Sequence, residues 1–203
     1  MDLTEAFLLE DTGLSRAPIR DAVGRLEQER LITIIPKKGI RVSDVEINDI
    51  NMIYETRNLI EAFVIRRYGV SICTKELLNI RKMFKELQDN HSTDKAVGYN
   101  ERSAMYELDN HFHSHIIRSS NNAYLIMAME HINNQNIRLR ALTSVDNDRL
   151  KESHAEHIAI INLLLDYKFE EAATKMEEHL MNFKNAAFDA VVKNGGWTMR
   201  NNA

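Results

Sequence analysis

Asp109 and His113 are the residues through which this chain can most directly do chemistry. They lie in residues 105–117, where Met105, Leu108, Phe112 and Ile116 recur at spacings of three and four, one face of a helix. Four residues make about 400° of helical rotation, so Asp109 and His113 project about 40° apart on that same face, one turn along. A carboxylate aimed into a core is costly unless something pairs with it. A metal ion, a bound ligand or a buried Asp–His hydrogen bond would each do so. His111 and His115 fall off the stripe, which selects His113. Two further stripes carry histidine inward: His154 and His157 with Ile161 and Leu164, and His179 with Ala172, Met176 and Phe183. Periodicity does not separate His154 from His157. One carboxylate with several imidazoles suits a divalent transition metal, with Zn, Ni, Mn and Fe all open. A buried polar network is the competing use of the same side chains.

Two more groups of residues carry chemistry. Arg57 and Glu61 stand four apart within an apolar stripe, Ile50, Ile53, Tyr54, Ile60 and Val64. They can form an ion pair that holds helices together, or Arg57 can offer its planar fork to a ligand carboxylate. Near the start of the chain, Arg16 and Arg20 share an outer helical face. Between Thr12 and Ser43 there are seven basic and three acidic side chains, while the whole chain is −4. A basic segment on an acidic body points to a polyanion partner for that segment alone.

The elements that must position these groups are mostly helical, as seven Gly and two Pro in 203 residues allow. Residues 4–10 read as a short helix broken by Asp11-Thr12-Gly13. Ser15 is a good N-cap for a second helix over residues 16–29, with Pro18 in its first turn and Ile19, Val23 and Leu26 inward. Residues 31–35 are a run β-branched from Ile32 on, Pro36-Lys-Lys-Gly39 is a turn, and Ile40-Arg-Val returns, which predicts a β-hairpin with lysines at its tip. Two helices across a Gly-containing turn, with arginines opening the second, fit a helix-turn-helix whose second helix enters the major groove. Longer helices follow over residues 46–68, 75–89, about 105–119, 124–142, 150–165 and 170–192. The fourth of these has Met127, His131, Asn134 and Arg138 on its inner face. Residues 91–97 and 144–149 read as polar connections, and residues 194–203 as a flexible tail. Cys73 stands alone, so no disulfide framework is expected and a reducing cytoplasm is. No apolar run approaches the ~20 residues that span a bilayer, and no secretory signal opens the chain.

Residues Gly13-Leu-Ser-Arg-Ala-Pro-Ile-Arg through Arg30-Leu-Ile, with Pro36-Lys-Lys-Gly39, closely resemble the winged helix-turn-helix of GntR-type bacterial transcription regulators. The resemblance implies that Ser15, Arg16, Ala17 and Arg20 meet double-stranded operator DNA, with Lys38 and Gly39 at the wing. Against that family, the helix that would precede residues near Leu3 is absent, and Ala6 stands where some relatives place a DNA-contacting arginine. A winged domain lacking its first helix is therefore expected. The remainder resembles the all-helical FCD-type effector domain of the FadR branch. The residues that carry this are Tyr54-Glu-Thr-Arg-Asn-Leu-Ile-Glu61, Asp109-x-x-Phe-His113, Glu156-His157-x-x-Ile160 and Ala172-x-x-x-Met176-x-x-His179. By this resemblance Asp109, His113, His157 and His179 are the metal ligands, which chooses His157 over His154. Arg57 and Arg140 are weaker candidates for effector contacts.

The expected fold is mainly α: a winged domain over residues 1–43, an antiparallel helical bundle for metal, ligand and dimer contacts over 44–193, and the tail. The expected function is a cytoplasmic homodimeric transcription regulator, not an enzyme, gated by a small carboxylic acid. The competing function is a metal-dependent helical enzyme acting on a small acid. Against it, no separate general base or nucleophile is evident, Glu61 and Glu107 being the only nearby carboxylates.

Overall fold

The computed structural model describes residues 3–90, 99–143 and 147–193. The loop predicted at 91–97, the first part of the connection predicted at 144–149 and the tail at 194–203 lie outside them. By contact the chain divides into two units, Met1–Val45 and Glu46–Ala203.

In the first unit, helix α1 (Glu5–Thr12) is capped by Thr4, whose hydroxyl accepts the Phe7 N–H at 3.1 Å. It ends on Gly13, whose left-handed backbone lets its N–H reach the Leu9 carbonyl. Helix α2 (Arg16–Gln28) follows Ser15, whose extended backbone starts the helix without a side-chain cap bond. Strands β1 (Ile32–Ile35) and β2 (Gly39–Val42) pair antiparallel, Ile32 opposite Val42 and Ile35 opposite Gly39. Pro36 sets one corner of the turn, a left-handed Lys37 (φ 64°) the next, and the Lys38 N–H closes on the Ile35 carbonyl. The hairpin also has an edge partner that the sequence reading lacks. Leu3 and Ile40 exchange backbone bonds of 3.1 and 2.6 Å. Gly39 (φ 121°) is required at that crossing, because a Cβ there would lie 2.5 Å from the Leu3 carbonyl oxygen. Of the predicted α2 stripe only Ile19 is buried, and Leu26 stays 40% exposed. Two four-residue strands and a two-turn helix are too short to cover all three positions.

The second unit is all helical: α3 (Ile47–Tyr68), α4 (Thr74–Asn90), α5 (Tyr99–Arg118), α6 (Ala123–Thr143), α7 (Asn147–Leu165) and α8 (Phe169–Lys193). Glu46 and Asp49 form a reciprocal capping box at the start of α3. The predicted α3 stripe, Arg57 and Glu61 included, is buried throughout. After α3 a 3₁₀ turn (Gly69–Ser71) leads to α4. Asn121 takes a left-handed backbone and the Asn122 side chain accepts the Tyr124 N–H, the break and new cap that the sequence indicates. Helices α3, α5, α4, α7 and α8 form a closed circuit of contacts, with α6 against α3, α5 and α8.

Two expectations are corrected here. Helix α7 begins at Asn147 rather than Leu150, so Arg149 lies inside it, neutralised by Glu152 and Glu156. Among the described side chains of α6 the buried positions are Met129, Asn136 and Leu139, while Met127 is 65% exposed. Helix α6 is apolar on more than one side, so periodicity leaves its phase open and three neighbouring helices set it.

Candidate metal centre

Helix α5 brings Asp109 and His113, α7 brings His157 and α8 brings His179 to one place inside the helical circuit. Each offers one donor atom, and the four atoms lie within 4.8 Å of one another. His113 Nε2 is 3.3 Å from His157 Nε2, and Asp109 Oδ1 is 3.4 Å from His157 Nε2 and 3.7 Å from His113 Nε2. The three histidines are fully buried, and the Asp109 side chain keeps slight exposure at 14%.

Burial, then the neighbouring His179, holds His157 well below its ordinary pKa. Burial likewise lowers His179 against the opposing pull of Glu156. Both rings are thus kept neutral, the form that ligates metal. For His113 burial acts downward too, but the Glu61 carboxylate outweighs it and the net direction is up.

Two of the three histidines are aimed from behind by a carboxylate that an arginine holds. Glu61 on α3 accepts His113 Nδ1–H at 2.5 Å and Arg57 Nε–H at 2.7 Å. Glu156 on α7 accepts His179 Nδ1–H at 2.7 Å, both terminal nitrogens of Arg149 at 3.0 and 2.5 Å, and Asn182 Nδ2 at 2.7 Å. Burial alone would raise each carboxyl. For Glu61, Arg57 and His113 outweigh that penalty, and for Glu156, His179 and Arg149 do, so each lies at about 2 and acts only as an acceptor. An Nδ1–H fixed in this way leaves Nε2 with its lone pair turned to the centre, the second-layer arrangement typical of metal-bound histidine. The His157 ring is set by packing instead. It stacks on Phe84 at 4.6 Å and meets the edge of Phe112 at 4.9 Å. Its buried Nδ1 has no hydrogen-bond partner among the described residues. Three imidazoles and a carboxylate, two of the rings already aimed, fit a divalent cation. Such an ion would supply a Lewis-acidic centre for an anionic oxygen.

All four sequence-selected candidates therefore come together. His154 is also buried but packs against Phe84, with ring centroids 5.6 Å apart. His111 pairs with Glu76 on the surface at 2.7 Å. The Arg57–Glu61 pair lies within one helix, so it does not itself tie helices together; that link runs from Glu61 to His113. Arg140 belongs to α6, and its side chain lies outside the described residues. The sequence reading missed Arg149, Glu156 and Asn182 as site residues. A signal existed: Arg149, Glu152 and Glu156 share a face at spacings of three and four, once the helix is started at Asn147.

In the first unit Arg16 and Arg20 project from the opening of α2, with side chains 75% and 67% exposed. Ala17 lies between them, and Lys38 and Gly39 stand at the hairpin turn and the start of β2.

Comparison with known proteins agrees with this architecture. The FCD domain family matches residues 52–182, and the gntR family of bacterial regulatory proteins matches residues 1–42. The Nta operon transcriptional regulator of Aminobacter aminovorans is 27% identical over 178 residues, 88% of this chain and 80% of that protein. The Zn2+-bound FCD domain of the transcriptional regulator TM0439 superposes with a TM-score of 0.58 at 26% identity, covering 73% of this chain and 98% of that domain. A GntR regulator from Rhodococcus sp. RHA1 shares the fold over 93% of this chain and 87% of its own, with a TM-score of 0.77 at 16% identity. These family matches and relatives are transcription regulators, and they give the metal-dependent enzyme no support. With the FCD domain model matching most of its length, the chain belongs to the FCD domain family, and residues 1–42 before it match the gntR family of bacterial regulatory proteins.

Proposed function

We propose that this regulator senses a small carboxylic acid through a divalent metal held by Asp109, His113, His157 and His179. The observation that carries the reading is the meeting of those four donors from three helices within 4.8 Å. The Zn2+-bound FCD domain of TM0439 supports it, and Zn, Ni, Mn or Fe would suit the donor set. An acid effector would place one oxygen on the ion. Arg57 and Arg140 are the cationic candidates for the rest of the molecule, Arg57 acting through its hold on Glu61. The domains are taken as a winged unit over residues 1–43, a sensor over 44–193 and a tail, and the grouping as FadR-like.

Operator DNA would be met by Ser15, Arg16, Ala17 and Arg20 in the major groove and by Lys38 and Gly39 at the wing. A homodimer would present two such units to a two-fold site in the cytoplasm. Its surface is the exposed stripe Met52, Leu59 and Phe63 on α3 beside Tyr124 and Met127 on α6, two helices in contact with each other. No helix among the described residues is long and apolar enough to cross a membrane.

Metal analysis of the purified protein tests the sensor half, with about one ion per chain expected for a single four-donor site and a loss in Asp109→Ala and His157→Ala. Wild-type protein without metal, and unable to take it up on dialysis against Zn2+ or Ni2+, would reduce the four residues to a polar network. Selection of duplexes from a random pool tests the DNA half.

A further inference from the structure

We propose that Glu5 is a positioning residue for DNA recognition: it aims Arg20, and so narrows which base pairs the winged unit accepts. The inference rests on the reading that Arg16 and Arg20 meet DNA. Glu5 opens α1, and Arg20 sits in the second turn of α2. The Arg20 Nε–H points between the two Glu5 oxygens, at 3.2 and 3.3 Å. Arg16 is nearly 4 Å from the same carboxylate, at 3.9 Å, and is held far more loosely.

A guanidinium carries five N–H donors in one plane. Glu5 engages the one on Nε, the inner edge of the fork. Fixing that edge fixes the plane of the group and leaves the Nη donors outermost, the edge that contacts two acceptors on a guanine. Without this hold, a side chain 67% exposed would sample many rotamers. The backbone of Glu5 is anchored as well. Thr4 caps α1, and Leu3 is bonded on both sides to Ile40 of the wing. The carboxylate thus has a fixed origin relative to both α2 and the hairpin.

Two alternatives account for the contact less well. An exposed ion pair adds little to stability. A negative charge beside groups that meet phosphate weakens non-specific attraction. Orientation is the benefit that the geometry offers, and it appears in sequence discrimination rather than in raw affinity.

The experiment uses the full chain, a duplex that the wild-type protein selects from a random pool, and a scrambled duplex of equal length, at one salt concentration. Glu5→Ala removes both charge and acceptor; Glu5→Gln removes the charge and keeps an oxygen. For Glu5→Ala, the ratio of selected to scrambled affinity is expected to fall about tenfold, within the worth of one bidentate base contact. Binding to the scrambled duplex stays equal or tightens. Glu5→Gln retains more of the ratio than Glu5→Ala. In an Arg20→Ala background, Glu5→Ala costs no further discrimination. An unchanged ratio in Glu5→Ala, or a common factor on both duplexes in both variants, would overturn the proposal and make Glu5 a simple electrostatic brake. A wild-type protein that selects no sequence would instead remove the DNA-contact reading itself, and this inference with it.

Discussion

At the scale of single residues, the candidate metal centre depends on atoms that never touch its middle. Glu61 and Glu156 each fix one histidine ring through Nδ1, and each is held by an arginine. Neutralising either carboxylate loosens the ring it aims. Glu61→Gln and Glu156→Gln are each expected to weaken metal binding by about 10–100-fold, measured by competition with a chromogenic chelator. Wild-type affinity in both variants would show that ring orientation is set by packing alone. His157, which lacks such a carboxylate, is expected to respond instead to its aromatic support. Gly39 is a residue of a different kind. Its value is backbone space, since the Leu3 carbonyl lies where a side chain would begin. Gly39→Ala is expected to destabilise the winged unit by about 1–3 kcal/mol, reported by denaturant unfolding, with metal content unchanged.

At the scale of elements, the circuit of helices sets the site. Phe84 of α4, fully buried, meets the Phe112 ring of α5 edge-on at 6.1 Å and stacks on His157 of α7 at 4.6 Å. Phe84→Ala is expected to cost about 3–5 kcal/mol and to lower metal affinity as well, because the ring it supports is a proposed ligand. A lower denaturation midpoint at unchanged slope, with metal affinity intact, would separate the packing role from the positioning role. The junction of α3 with α8 is tight in another way. A Cβ on Gly69 would lie 2.3 Å from the Phe169 ring. Gly69→Ala should therefore destabilise by about 1–3 kcal/mol through overpacking. By contrast, Arg66 reaches Glu170 and Glu177 of α8 across the same junction, but on the surface. Its replacement by Ala should cost less than about 1 kcal/mol. Denaturant unfolding of the two variants side by side tests that ranking.

At the scale of the whole molecule, a basic first segment precedes an acidic remainder. The sequence shows that asymmetry directly, in the basic side chains between Thr12 and Ser43 on a chain of net charge −4. DNA affinity is expected to fall steeply with salt, as phosphate contacts release counterions. The proposed dimer is testable separately. Leu59 is 74% exposed and Phe63 follows one turn later on α3. The Leu59→Glu, Phe63→Glu double variant is expected to sediment as a monomer, with its metal content retained. A dimer that persists would place the two-fold contact elsewhere.

What the sequence determined by itself was whatever depends on local periodicity. The helix over residues 105–117, the shared face of Asp109 and His113, the buried stripe of α3 with its Arg57–Glu61 pair, the Asn122 cap and the Pro36–Gly39 turn all follow from spacings of two, three or four residues. Those distances are set by backbone geometry alone. Where a helix is apolar on two sides, as α6 is, the same logic leaves the phase open, and contact with α3, α5 and α8 decided it. His154 and His157 both face inward, and only the placement of α7 against α5 and α8 turns His157 to the shared centre and His154 to Phe84. The Glu61–His113 and Glu156–His179 bonds were out of reach for the same reason, for they join side chains 52 and 23 residues apart. Neither separation is a helical period, so those bonds come into being only when the helices are assembled.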